Sequence, residues 1–114
     1  MSRKSKNGVE REATVVLKPE YRYGLEFYNT KAKKEFFSLP ESVRKQLDAK
    51  LNERRNNPVV PKDKLSGHKD VYKIKIKKPA VRLCYKIENR KMVLIIVITG
   101  SRSDVYEKLN LRAD

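Results

Sequence analysis

Lys73, Lys75 and Lys77 stand at alternate positions in the stretch DVYKIKIKKPAVRLCY, residues 70–85, and carry the clearest chemical pattern in the chain. Tyr72, Ile74 and Ile76 fall between them, so a strand here has one apolar face and one lysine face. After Lys78, Pro79 and Ala80 a second run alternates Val81, Leu83, Tyr85 and Ile87 with Arg82, Cys84 and Lys86. Proline cannot donate to a ladder, so 78–80 reads as the turn of a β-hairpin. Antiparallel pairing then places Arg82 in the lysine row. Same-face residues two apart lie about 6.5 Å from each other, close to the step between phosphates on a single nucleic-acid strand. Like charges at that spacing repel, and a sheet that keeps them together points to an anionic partner. A solvated sheet face with edge-protecting lysines is the structural alternative.

Lysine, arginine and tyrosine suffice to cleave RNA, because the nucleophile belongs to the substrate. A 2′-hydroxyl attacks its own adjacent phosphate, and the protein must orient the backbone and stabilise charge on the phosphorane. Lys73 and Lys75 supply neutralising charge, and Arg82 can grip a phosphate bidentately. Arg102 and Tyr106 are four apart, one helical turn, and a tyrosine there can stack on a base or hydrogen-bond to substrate. Packing against the sheet is the structural alternative for Tyr106. Unperturbed lysine and tyrosine both titrate at about 10, so cleavage of free substrate near neutrality is expected to be poor unless a partner completes the site.

Other chemistries lack their residues. Cys84 is the single cysteine and His68 the single histidine, so no intrachain disulfide forms and Cys/His metal clusters are excluded within one chain. No carboxylate pair suggests acid–base work, no glycine loop suggests a phosphate cradle, and no cofactor or metal is expected. The chain has 114 residues, 28 Lys plus Arg against 14 Asp plus Glu, and a formal charge of +14. That balance favours nucleic acid or an acidic protein as partner. The longest apolar run, 92–98, is one strand and no membrane span, and the basic N-terminus lacks the apolar segment of a secretory signal; a cytoplasmic protein is expected.

The elements that must hold these residues follow from periodicity. Residues 1–20 read as a basic N-terminal extension, mobile or with 14–17 as an extra edge strand, ahead of a single domain over 21–114. Residues 23–28 form a short strand, with Asn29 or Thr30 as N-cap of a helix carrying Ala32, Phe36 and Leu39 on one stripe. Leu39-Pro40 interrupts it. A longer helix over 40–56 turns Val43, Leu47 and Leu51 inward, with Arg44, Lys45, Lys50, Arg54 and Arg55 on its outer parts. The loop 59–69 carries Lys62, Lys64 and Lys69 and is anchored by Leu65. Beyond the hairpin, Glu88, Asn89 and Arg90 make a turn, with Asn89 suited to a left-handed position. Residues 92–98 form a central strand, Gly100 breaks it, and 101–103 make a polar loop from which Ser103 caps a terminal helix bearing Val105, Tyr106 and Leu109, with Leu111 as a further docking residue. The expected fold is α+β: a small mixed, mainly antiparallel four-stranded sheet with an N-terminal helical hairpin on one face and a short C-terminal helix, in the order β-α-α-β-β-β-α.

The segments KLSGHKDVYKIKI, VRLCY and SDVY resemble the recognisable core of the RelE-type toxins, and the resemblance runs from Tyr23 to Tyr106. It implies the toxin of a type II toxin–antitoxin pair, a ribosome-dependent mRNA interferase that cuts translated mRNA in the ribosomal A site without a metal. It also implies the catalytic set Lys73, Lys75, Arg82, Arg102 and Tyr106. Lys62, Lys64, Lys69, Lys77, Lys78, Arg44 and Lys45 are then the expected contacts to RNA and ribosome. The implied partners are a cognate antitoxin and the 70S ribosome with its rRNA and A-site mRNA; operator DNA is reached only through the antitoxin complex. The GSRS loop is shorter than the family's GKRERS-like loop, and the N-terminal extension lies outside the usual family boundary. Two other functions stay open: a toxin of the same fold acting on DNA gyrase, whose members generally lack the Lys-Arg-Tyr set, and a non-catalytic nucleic-acid-binding module.

Overall fold

The computed structural model describes residues 21–112, so the expectations for residues 1–20 lie outside the described residues. The elements are β1 (Gly24–Phe27), α1 (Thr30–Phe37), α2 (Glu41–Asn56), a 3-10 turn (Pro61–Asp63), β2 (Val71–Ile76), β3 (Val81–Glu88), β4 (Val93–Ser101) and α3 (Arg102–Arg112). They form one four-stranded sheet in the order β1-β4-β3-β2, parallel between β1 and β4 and antiparallel elsewhere. This is the expected β-α-α-β-β-β-α architecture.

Each helix has a local cause. Asn29 caps α1, its side-chain oxygen accepting from the Ala32 N–H at 2.8 Å. Pro40 precedes α2 without a side-chain cap, and Glu41 places a negative charge in the first turn, where the helix dipole favours it. Ala32, Phe36, Val43, Leu47 and Leu51 are buried against one sheet face, where Tyr72, Ile74, Ile76, Val81, Leu83, Tyr85, Ile87, Leu94 and Ile96 meet them. Each such leucine contributes roughly 1.5–3 kcal/mol relative to exposure. Helix α3 covers part of the opposite face, packing Val105 and Leu109 on Val71, Cys84, Val97 and Ile98. Apolar residues on both faces explain why 92–98 reads as a nearly continuous apolar run: β4 is central and sandwiched.

Several details differ from expectation. Gly100 does not break the strand. It pairs with Arg82 inside β4, which runs directly into α3 at Arg102, so no polar loop separates them and Ser103 is not the cap. A side chain at Gly100 would press on Val105, whose Cγ2 lies 3.3 Å from where its Cβ would stand. Lys77 lies in the hairpin turn and outside β2. Residues 89–92 form the next turn, with Met92 and not Asn89 at positive φ (55°); Asn89 instead accepts the Tyr23 hydroxyl at 2.7 Å. Leu111 does not dock, being 86% exposed.

Arg54 is not an outer residue either. It continues the inward stripe of Leu47 and Leu51, and its guanidinium donates to Asp63 Oδ2 at 2.7 Å, the Tyr85 hydroxyl at 3.0 Å and the Lys73 carbonyl at 3.2 Å. Tyr85 in turn donates to the Pro58 carbonyl at 2.7 Å. Burial pushes the Tyr85 phenol up, against the pull of Arg54, which keeps its proton available for that bond. Only 14% and 9% of the Arg54 and Asp63 side chains are exposed, so removing one strands the other's charge. Asp63→Ala should therefore cost about 3 kcal/mol and lower the melting temperature by on the order of 15 °C. The double variant Arg54→Met, Asp63→Leu should lose less than the single one. Thermal melts of the three proteins check this, and a loss for Asp63→Ala no larger than that of a surface change would refute the assignment.

Candidate active site

The hairpin register builds the site. Lys75 pairs with Arg82 and Lys73 with Cys84, on the face opposite the helical hairpin. Directly paired side chains have Cβ atoms about 5 Å apart, so Lys75 and Arg82 set two positive charges side by side. No carboxylate among the described residues forms an ion pair with Lys73, Lys75, Arg82 or Arg102. Lys73 and Arg82 are half-buried and Lys75 is exposed. The Arg82 guanidinium is turned to the hairpin end, donating to the carbonyls of Val81 at 3.2 Å and Ile76 at 3.4 Å.

The outer edge of β2 is closed by the preceding loop. Leu65 N–H donates to the Val71 carbonyl at 2.9 Å, Lys64 bridges to Tyr72, and Arg54 takes the Lys73 carbonyl. Covered edge groups hold the strand against slipping, and a slip of one residue would turn its lysines into the core.

Helix α3 carries the remaining two residues and brings Tyr106 to the same face. Arg102 opens the helix and is exposed; Tyr106, one turn on, is half-buried against the cluster of Val71, Cys84, Val97 and Ile98. Tyr106 thus packs with part of its ring, while beside α3 Arg82 stays half-buried and Lys75 exposed. The arrangement offers a cationic strip flanked by an aromatic ring, suited to a nucleic-acid backbone and base.

The other candidate cations are scattered. Lys62 sits in the 3-10 turn and lines a cleft of about 340 Å³ with Lys50, Lys75 and the Arg54–Asp63 pair. Lys64 donates to the His68 carbonyl at 3.3 Å. Lys69 lines a separate cleft with Lys86 and Arg90, and Lys77 and Lys78 lie exposed in the hairpin turn. Arg44 and Lys45 belong to α2, in the layer opposite the site. Arg44 lies over the Phe37 ring at 5.6 Å and Lys45 pairs with Glu41 at 3.7 Å, so neither joins the strip. Lys50, expected only on the outer part of its helix, lines the Lys62 cleft as well, one turn before Arg54. No three His, Cys, Asp or Glu side chains come together to hold a metal among the described residues.

No protein-family model matches the chain. It is similar to the mRNA interferase toxin RelE of Escherichia coli K12, 38% identical over 88 residues, which cover 75% of this chain and 92% of that one. The chain belongs to the RelE family. Solved RelE structures agree. One mutant of E. coli RelE in the free state superposes with a TM-score of 0.69 at 36% identity, over 75% of this chain and 92% of that one. The toxin in the intact E. coli RelBE toxin–antitoxin complex gives 0.67 at 37% identity, over 69% and 95%. Within this RelE-family chain, Lys73, Lys75, Arg82 and Tyr106 all lie on one sheet face, and Arg102 stands exposed at the start of α3, directly after β4.

Cys84 tests that geometry, because it shares the face with Lys73 but lies under α3. Burial pushes its thiol up to about 12, with Lys73 pulling weakly the other way. At pH 8 the folded protein should react with a thiol-directed reagent at least 100-fold more slowly than the urea-unfolded chain, since the thiolate is the nucleophile. Comparable rates in the two states would show that α3 does not cover Cys84.

Proposed function

We propose that this chain is the toxin of a toxin–antitoxin pair, a ribosome-dependent endoribonuclease that cuts translated mRNA in the A site. The observation that carries the reading is the strip of Lys73, Lys75 and Arg82, without carboxylate partners among the described residues, on the same sheet face as Tyr106 in a member of the RelE family. The substrate's 2′-oxygen attacks the adjacent phosphorus as its proton leaves, and the 5′-oxygen departs and takes up a proton. The products are a 2′,3′-cyclic phosphate and a 5′-hydroxyl. Lys75 and Arg82 face each other across the hairpin and stabilise the phosphorane, whose charge exceeds that of the ground-state phosphate. Lys73 contributes to binding and to the chemical step. Arg102 supplies a further phosphate contact, and Tyr106 stacks on a base. The ribosome orients the mRNA, in keeping with a strip that has no carboxylate partner among the described residues.

The +14 charge supports rRNA as the docking surface through Lys62, Lys64, Lys69, Lys77 and Lys78, with long-range attraction that salt screens. Similarity to the toxin of the RelBE complex supports a cognate antitoxin as the second partner. A segment with acidic and apolar residues, folding as it binds, would neutralise the strip.

Single-turnover cleavage on programmed ribosomes tests these roles. Lys75→Ala and Arg82→Ala should each slow cleavage by about 100-fold or more, with ribosome affinity changed by less than about threefold. Tyr106→Phe should stay close to the parent and Tyr106→Ala should be much slower, because stacking needs the ring and not the hydroxyl. Affinity losses with an unchanged cleavage rate would reduce the strip to a binding surface, and equally crippled Phe and Ala variants would reject stacking.

A further inference from the structure

Strand β1 ends at Phe27, in register with Ile96, while β4 continues to Ser101. Among the described residues no strand pairs with β4 on that edge beyond Ile96. The ladder on its other side is also irregular here: Cys84 pairs with Ile98 and Tyr85 with Ile96, which leaves Val97 without a cross-strand partner. Two side chains from opposite layers take the bared backbone groups. Arg112, at the end of α3, donates to the Val97 carbonyl at 2.9 Å, and Glu35 of α1 accepts from the Thr99 N–H at 3.4 Å. The two meet around the sheet edge in a fork, Nη1 to Oε1 and Nη2 to Oε2, both 2.9 Å. Their side chains are 10% and 19% exposed, and the planar match makes this the strong form of ion pair.

The fork lies where α3 has little other hold. Val105 and Leu109 seat the helix, but Leu111 is 86% exposed and adds nothing to its last turn. Beyond Leu109 the fastenings are polar: the fork, and a contact of 2.9 Å between His68 Nε2 and Asn110 Oδ1. Val105 and Leu109, one turn apart, are the fully buried seats of the helix, and the half-buried Tyr106 ring lies beside the line that joins them, so a small roll about that line is resisted on the sheet face by the ring alone. A roll of α3 about that line carries the Tyr106 ring across the sheet face.

We propose that Glu35 and Arg112 are positioning residues for Tyr106: their clamp around the bare edge of β4 fixes the roll of α3 and so the pose of the ring on the face with Lys73, Lys75 and Arg82. Its bearing on cleavage rests on the ribonuclease reading; its bearing on the ring does not. Glu35→Gln keeps the size and one acceptor but removes the charge, and Arg112→Lys keeps the charge but loses the fork. Both should shift the Tyr106 ring resonances in NMR spectra and speed amide exchange over residues 102–112, with the signals of β2 and β3 in place. On ribosomes each should slow single-turnover cleavage about five- to tenfold at unchanged ribosome affinity. In a Tyr106→Ala background neither should slow it further. Unmoved ring resonances would overturn the proposal, as would losses that simply multiply in the double variants. If the parent fails to cut mRNA on ribosomes, the ribonuclease reading falls, and the ring resonances alone decide whether the clamp sets Tyr106.

Discussion

A single buried guanidinium holds the working strand where it is. Arg54 reaches from the end of α2 to the carboxylate of Asp63, the hydroxyl of Tyr85 and the main chain of Lys73. Those three partners belong to the 3-10 turn, to β3 and to β2, which is an edge strand carrying two adjacent positive side chains on one face. Self-repulsion in such a strand is relieved by fraying. The Arg54 guanidinium opposes fraying at the residue that precedes the apolar Ile74, and the Tyr72–Tyr85 ring pair, 5.8 Å between centroids, lies in the same layer. Cations exposed on one face are thus held by a cation satisfied on the other.

This division of labour explains which parts of the chain were legible in its sequence. Alternation and helical stripes depend on local spacing, so the hairpin, the two N-terminal helices and the sandwiched β4 could be read directly. Arg54 could not, because an arginine continuing an apolar stripe looks like a helix margin until its acceptors are known, and these come from residues up to 31 positions away. Asp63 gave the only hint, as the single acid in a loop of lysines. Gly100 misled for a related reason. A glycine after an apolar run reads as a stop, whereas here the missing side chain makes room for Val105 of a helix that crosses back over the strand.

The candidate site was legible to the same degree. Lys73, Lys75 and Arg82 share a face because period-two spacing and antiparallel pairing require it. The partition of that face between an open cationic end and an end roofed by α3 needed the tertiary structure. So did the separation of Arg44 and Lys45 from the strip: their charge is indistinguishable in sequence from that of Lys62 or Lys64, but α2 is packed on the other side of the sheet. Net charge identifies a class of partner, and only topology says which cations can reach it together.

The direct passage of β4 into α3 has a consequence for how the chain can change. With no connecting residues to absorb a difference, the final residue of the strand sets the azimuth of α3 to within the small roll that the Glu35–Arg112 clamp takes up. Each inserted or deleted residue at the junction turns the helix by about 100°. One such step would carry Tyr106 from the rim of the sheet face to its underside or into solvent, and would unseat Val105 and Leu109 together. Three or four residues return the helix to nearly the same phase. The junction behaves as a gear with coarse teeth, so its length should vary among functional versions of this domain in jumps of about a turn, with a compensating loop wherever the jump is smaller.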